Sequence, residues 1–171
     1  MLNEAAAQVK SQAETIGSLM SEVPSPEPDS WIVESRYGQI TFGPDQVVAM
    51  ERSILGFPHL TQFGLARIPG HPGDNLLLLQ SLEEADVSFP CLALDMVNPM
   101  IEESDIKAVY DQMGIKPEDG AVLCILTVRE EEGGKTAVTT NLRAPVFVDS
   151  VRRLAWQVVL QNPRYPIRHG V

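Results

Sequence analysis

The side chains suited to catalysis or metal binding are few, and their spacing matches no familiar chemical site. The three histidines, His59, His71 and His169, are not spaced with cysteines or carboxylates as zinc ligands are. The sequence also contains no Cys-x-x-Cys pair, phosphate loop, nucleophile elbow or dinucleotide fingerprint. Glu102 and Glu103 could be read as an acid/base pair, but adjacent side chains on one chain usually diverge. The sequence therefore predicts a protein that is not an enzyme and that needs no metal or cofactor.

The cysteines and the N-terminus both suit a cytoplasmic protein. Cys91 and Cys124 lie in apolar runs, where a cysteine usually packs as a small reduced hydrophobe, so we expect no disulfide. The N-terminus lacks the basic and apolar regions of a signal peptide. The apolar runs are far shorter than the roughly 20 residues that span a bilayer, so we expect no membrane contact.

The charge is strongly acidic, with a formal net charge of −10. Binding nucleic acid through phosphates requires clustered Lys and Arg, so the sequence argues against direct nucleic-acid binding. A basic protein partner fits the balance better. The plainer alternative is that the negative charge only keeps the protein soluble.

The acidic side chains are concentrated in one stretch. Between Glu83 and Asp105 the sequence has seven acids and no Lys or Arg, whereas from Arg152 onward its only charges are arginines. Acidic turns at strand ends would explain this pattern structurally. The functional interpretation is an electrostatic docking face, since complementary charge speeds association and selects partners. Apolar residues such as Met96, Val97 and Met100 lie between the acids and would either supply affinity or pack in the core.

The elements that must position these residues are mostly β-strands. The central feature is a hairpin from Ala121 to Val148, in which two β-prone runs flank a charged turn with two glycines. Shorter strand candidates precede it, separated by Gly, Pro and acidic turns, and Trp156–Leu160 is a last candidate. These are Trp31–Val33, Gly38–Phe42, Val47–Met50, Phe63–Ile68, Leu76–Gln80 and Phe89–Leu94. The pattern predicts a mainly β single domain with an antiparallel β-barrel-like fold and one or two short helices.

One helix is expected between the acidic stretch and the hairpin. Ser104 would be its N-cap and Gly114 its C-terminal stop. The apolar residues between them follow the i, i+3, i+4, i+7 spacing of one buried face. They are Ile106, Val109, Tyr110 and Met113.

The two ends of the sequence are expected to lie outside the folded core. We expect residues 1–30 to form a disordered or transiently helical tail with a Pro-rich linker, because three prolines alternate with polar residues from Glu22 to Ser30. Residues 31–171 form the β domain. The last ten residues, Asn162–Val171, are rich in Pro, Arg and His and are expected to be frayed.

Several stretches of the sequence together form a recognisable signature. They are Ile54-Leu55-Gly56-Phe57, Phe63-Gly64-Leu65, Leu78-Leu79-Gln80-Ser81, Phe89, Ile125-Leu126-Thr127 and Thr139-Thr140-Asn141-Leu142-Arg143-Ala144-Pro145-Val146. In order and spacing these stretches resemble the FliW flagellar assembly factor family. The Thr-Asn-Leu-x-Ala-Pro stretch is the most specific, whereas Ser53 and Thr140 replace the small Gly and Ala that are common in that family.

The resemblance implies a regulator that works by partner switching. Proteins similar to this one bind newly made flagellin in the cytoplasm and, once flagellin is exported, bind the basic RNA-binding repressor CsrA. Mass action between the two partners would then set the free regulator. The acidic stretch suits a basic partner, so we expect a CsrA-facing surface. Its candidate residues are Asp95, Met100, Ile101, Glu102, Glu103 and Asp105.

Two other classes of function remain open at this point. A small-molecule-binding β-barrel would have a pocket lined by the apolar strands and by a few convergent polar groups. An enzyme would need two titratable side chains converging in one cleft.

Flagellin would offer an amphipathic helix to a hydrophobic groove, for which the sequence identifies no residues.

Overall fold

The computed structural model describes residues 29–68, 75–94, 100–131 and 133–171. The predicted tail lies outside the described residues up to position 28, as do His71 and the candidate residue Asp95.

The described residues form eleven strands and one α-helix. Two short 3-10 helices, Pro44–Gln46 and Pro117–Asp119, precede strands β3 and β7. The α-helix, α1, spans Glu103–Met113. The strands are β1 Trp31–Ser35, β2 Gly38–Phe42, β3 Val47–Arg52, β4 Gln62–Arg67, β5 Leu76–Ser81, β6 Ser88–Ala93, β7 Gly120–Glu130, β8 Thr136–Thr140, β9 Val146–Asp149, β10 Leu154–Gln157 and β11 His169–Gly170.

Seven of these strands close into a barrel. The order β7-β6-β5-β4-β3-β10-β9 returns to β7 through the β7–β9 pairing. Every neighbouring pair in the ring is antiparallel except β3 and β10, which run parallel. The predicted antiparallel barrel-like fold is confirmed, with one parallel pair that local patterning could not show. Closure satisfies the hydrogen-bonding groups that a free sheet edge would expose.

Apolar side chains from all seven barrel strands fill the interior. Phe63, Leu79 and Cys91 are fully buried there, and Leu123 and Val146 meet them from the opposite wall. Inward residues alternate with outward ones, as the pleat of a strand requires. The interior is therefore a packed core, and this packing does not support the small-molecule-binding alternative.

The helix covers the outer face of the barrel. Ile106, Val109 and Tyr110 are its buried residues, and the Tyr110 ring meets Phe147 of β9 edge to face at 5.9 Å between centroids. Gly114 caps the C-terminus in the left-handed conformation, as predicted. The prediction that Ser104 is the N-cap was wrong, because Glu102 holds that position and the helix begins one residue before Ser104.

The central hairpin is confirmed, but its second run is divided. β8 pairs with the second half of β7 and β9 pairs with the first half. The chain between them is turned by Asn141, whose side-chain Oδ1 accepts the backbone N–H groups of Arg143 at 3.0 Å and Ala144 at 3.2 Å. This break lets two short strands share β7.

The C-terminus differs most from expectation. The strand expected at Trp156–Leu160 lies earlier, in β10, and Asn162–Val171 is not frayed. Tyr165 is buried, and the β11 residue His169 pairs with Thr140 of β8. The Arg143 guanidinium donates to the carbonyls of Pro163 at 3.1 Å and Tyr165 at 3.0 Å. These long-range contacts hold a segment whose composition favours loops.

Candidate protein-binding surfaces

The first surface is the acidic turn at the start of α1, comprising Glu102, Glu103 and Asp105. Carboxylates are favourable there because the backbone N–H groups at a helix N-terminus carry partial positive charge. Glu102 and Glu103 are exposed, and Asp105 is half-buried. We call these three residues the α1 acidic turn.

The C-terminal segment, Asn162–Val171, is hydrogen-bonded to this turn. The Tyr165 hydroxyl accepts the backbone N–H of Glu102 at 3.0 Å and donates to Asp105 Oδ2 at 2.5 Å. The Asn162 side-chain amide also donates to Asp105 Oδ2, at 3.0 Å. These two donors, Tyr165 first, lower the pKa of Asp105. Burial, followed by the bond to Asp105, raises the pKa of Tyr165.

The two glutamates are the accessible carboxylates of the turn. Glu102 Oε1 lies 2.7 Å from the Arg164 guanidinium, but both side chains are about half or more exposed, so the pair is a weak surface contact. The Glu103 carboxylate makes no hydrogen bond or ion pair with any residue that the structure describes. An incoming cation can therefore reach both.

The two apolar candidates differ in their accessibility. Ile101 is 0% exposed and packs against α1 in the outer core cluster, so a partner cannot contact it. Its assignment to the partner surface is corrected for this reason. Met100 is partly buried against the same cluster.

A groove of about 330 Å³ adjoins the α1 acidic turn. Asp105 and Val109 line one side, and the run from Val158 to Asn162 lines the other. Val159 is 46% exposed, so an apolar contact is available beside the carboxylates. Arg52 also lines this groove.

The earlier acids of the stretch serve a different part of the fold. Glu83 accepts the backbone N–H groups of Thr61 at 2.6 Å and Gln62 at 3.1 Å, and these bonds, Gln62 first, lower its pKa. Glu84 contacts the ring of His59 at 2.8 Å. For these residues the strand-end interpretation is confirmed, because they join the β5–β6 turn to the connection before β4.

A second surface, which sequence reasoning did not identify, lies at one mouth of the barrel. The β7–β8 hairpin projects past the mouth and forms a groove of about 320 Å³ with neighbouring loops. We call it the mouth groove. It is lined by Ile54, Leu55, Phe89, Ile125, Thr127, Arg129, Thr139, Asn141, Gln157, Ile167 and Arg168.

Gln157 holds one wall of this groove in place. Its Oε1 accepts the backbone N–H of Leu55 at 2.6 Å, and its Nε2 donates to the carbonyl of Ala144 at 3.0 Å. The Leu55 side chain is 64% exposed. The sequence signal that could have indicated this surface is Leu55 in the Ile54–Phe57 run. It is an apolar residue that belongs to no strand or helix pattern.

Within the four described ranges, no group of three or more His, Cys, Asp or Glu could hold a metal ion. In the same part of the chain, none of the helices is long and apolar enough to cross a membrane.

Comparison with known proteins agrees with the fold and motifs above. The family model described as FliW protein matches residues 31–171. The chain belongs to the FliW family. The resemblance identified from the sequence is thereby confirmed.

Relatives and a solved structure extend this likeness over most of the chain. The flagellar assembly factor FliW of Anoxybacillus flavithermus is 33% identical over 139 residues, covering 80% of this chain and 92% of the relative. That of Syntrophus aciditrophicus is 28% identical over 141 residues, covering 82% and 86%. A crystal structure of the flagellar assembly factor FliW superposes with a TM-score of 0.61 at 26% identity, covering 81% of this chain and 95% of that one.

The side chains at the two positions that depart from the FliW pattern are both hydrogen-bonded. Thr140 is buried, and its hydroxyl donates to the carbonyl of Ile125 at 3.1 Å. Ser53 donates to the carbonyl of Pro58 at 3.4 Å. A buried hydroxyl needs such a bond to offset its lost hydration, so Thr140 is compatible with the break after β8.

Proposed function

We propose that this chain is a cytoplasmic regulator of flagellar assembly that binds flagellin and antagonises CsrA by partner switching. Support comes from its membership of the FliW family and from relatives that carry the name flagellar assembly factor. In this mechanism two proteins compete for one limiting binder, so the free concentration of each follows the other by mass action.

The observation that carries the CsrA half is the accessible α1 acidic turn. Glu102 and Glu103 are exposed at a helix N-terminus, next to a groove with the exposed Val159. A basic partner would meet the carboxylates first, and contact with the exposed Val159 in the groove would slow its dissociation. Met100 is only partly buried and contributes beside them, whereas Ile101 supports the helix from within the core.

Charge reversal of the two glutamates tests this half. The variant Glu102→Lys/Glu103→Lys should weaken CsrA binding by about tenfold or more at low salt, because favourable contacts become repulsive. It should also reduce the salt dependence of the dissociation constant. The control Glu118→Lys/Glu130→Lys makes the same change in net charge at two exposed glutamates outside the turn.

Measuring the CsrA dissociation constant at several salt concentrations shows which results would contradict this half of the proposal. If reversal leaves the CsrA dissociation constant unchanged across salt concentrations, the α1 acidic turn is not the partner surface. If the control weakens binding as much as the test variant, only the net charge matters.

The flagellin half is tested separately. A pull-down from flagellated cells should recover both flagellin and CsrA, and a titration of the two against each other should show competition. Repeating the pull-down without residues 1–30 measures what the tail contributes. Absence of flagellin binding at high micromolar concentration would contradict this half.

A further inference from the structure

The mouth groove and the surface next to it are basic, in contrast to the rest of this acidic chain. A further groove, of about 610 Å³, adjoins the mouth groove and shares Ile167 and Arg168 with it. It is lined by Arg143 and by Pro163–Arg168. Together the two grooves are lined by Arg129, Arg143, Arg164 and Arg168 and by no Asp or Glu. In a chain with a net charge of −10, this local reversal of sign selects for acidic ligands.

Among the described residues, two of these arginines have side-chain partners and two do not. Arg143 donates to carbonyls of the C-terminal segment, and Arg164 pairs with Glu102. Arg129 and Arg168 are exposed, and their guanidinium groups make no hydrogen bond or ion pair with any described residue. Both line the mouth groove, so two cations there are available to a ligand.

Exposed apolar side chains accompany these cations. Leu55 is 64% exposed and Ile167 is 67% exposed, and both line the mouth groove. Phe89 and Ile125 are partly buried in the same lining. A ligand that covers Leu55 and Ile167 gains hydrophobic free energy that a solvated surface lacks.

The groove is also held in shape before any ligand arrives. Gln157 fixes Leu55, the Asn141 turn fixes the end of β8, and pairing of β11 with β8 fixes the segment after Arg168. A preformed site loses less conformational entropy on binding.

We propose that the mouth groove docks an acidic, apolar segment of flagellin. Aliphatic side chains of that segment pack between Leu55 and Ile167, and its carboxylates pair with Arg129 and Arg168. This inference rests on the proposed function and places flagellin on a different surface from the α1 acidic turn. The competition expected there would then act through the C-terminal segment, whose Arg164 and Tyr165 contact that turn. The arginines of the lining, neither of which has an ion pair with any described residue, favour an acidic occupant, and the proposed function supplies flagellin as that occupant.

The test measures binding of purified flagellin to three double variants of the full chain. Arg129→Gln/Arg168→Gln removes the two positive charges that line the mouth groove and should weaken binding about tenfold at low salt. Leu55→Asn/Ile167→Asn should weaken it by about tenfold or more, with less dependence on salt. The control Lys107→Gln/Lys116→Gln loses the same charge elsewhere and should bind like the wild type.

A second probe separates this inference from the proposed function. It is a synthetic amphipathic helix of about 20 residues with Leu on one face and Glu on the other, compared with its Lys counterpart. The Glu peptide should bind through the same residues, and the Lys peptide should bind at least about tenfold more weakly.

Each contrary outcome overturns a definite part of the reasoning. If flagellin binds all variants equally, the groove assignment is wrong and the proposed function stands. If the Glu peptide binds and flagellin does not, flagellin is wrong both as the occupant and as the partner. Equal binding of the two peptides would overturn the selection for acidic ligands.

Discussion

Replacing Tyr165 by Phe tests how the C-terminal segment is held against the α1 acidic turn. The substitution removes one oxygen and keeps the buried ring. That oxygen accepts the Glu102 N–H at 3.0 Å and donates to Asp105 Oδ2 at 2.5 Å. Both bonds are lost together, and nothing on the ring replaces them.

The size of the effect follows from the two bonds and their exposure. A hydrogen bond to a charged group contributes about 1.5–3 kcal/mol and a neutral one about 0.5–1.5 kcal/mol. Glu102 is exposed and Asp105 is half-buried, so water regains part of this. We therefore expect Tyr165→Phe to lower the free energy of unfolding by about 1–2 kcal/mol at pH 7.

The pH dependence has a definite sign. The pKa of Asp105 is lowered in the folded protein, chiefly by the Tyr165 hydroxyl and then by Asn162. The stability from the charged carboxylate is therefore present above its unfolded-state pKa and is lost as the pH falls through the folded-state pKa. The stability difference between wild type and Tyr165→Phe should shrink in acid.

Urea denaturation of both proteins from pH 7 down to about pH 2.5 measures this difference in the free energy of unfolding. Acid effects common to the two proteins cancel when one value is subtracted from the other. Tyr37→Phe is the matched control, since the Tyr37 hydroxyl makes no hydrogen bond with the described residues. A double-mutant cycle with Asp105→Asn should give a coupling of about 1 kcal/mol. A Tyr165→Phe loss equal to that of Tyr37→Phe, or one that does not depend on pH, would refute the assigned contacts.

Three further predictions concern the scaffold. Gly64→Ala should destabilise the fold by about 1–3 kcal/mol in urea, because a Cβ there would lie 2.4 Å from Phe42 Cδ1; an unchanged midpoint would contradict this packing. Asn141→Ala should lower stability by about 1–2 kcal/mol in thermal unfolding, since two backbone N–H groups lose their acceptor; Asn141→Asp should retain most of it. Burial raises the pKa of Cys91, and it raises the pKa of Cys124 to about 12. Neither thiol should therefore react with iodoacetamide in the native state at neutral pH, whereas both should react in urea. Mass spectrometry of the labelled protein measures this.

Most strands could be predicted because their signals are local. Runs of apolar residues and Gly-rich turns specify β1 to β6 within one or two residues, and Gly114 ends α1 as the sequence indicates. The sequence placed the β7–β8 turn at Arg129–Lys135, whereas β7 continues to Glu130. The Ser104 N-cap was wrong because Glu102 already has the extended backbone of a cap. The choice depended on how the chain enters the helix, which residue types alone do not specify.

The binding surfaces were less predictable because they combine distant parts of the chain. Ile101 and Glu102 are neighbours in sequence, yet one is in the core and the other is accessible. Asp105 looked like a free acid but is bonded to Tyr165, 60 positions away. Nothing local indicates these pairings, because hydrophobic and hydrogen-bonding contacts depend on which segments the fold brings together.

The sequence by itself determined the β-rich class, the central hairpin, the reduced cysteines, the acidic balance and the FliW signature, because each depends on residue type and short spacing. Only the tertiary structure decided the parallel β3–β10 closure, the docking of Asn162–Val171, and the division of charge between the α1 acidic turn and the mouth groove. The physical reason is the same in each case. Hydrogen bonds and apolar burial join residues far apart in the chain, and their partners exist only once the barrel has closed.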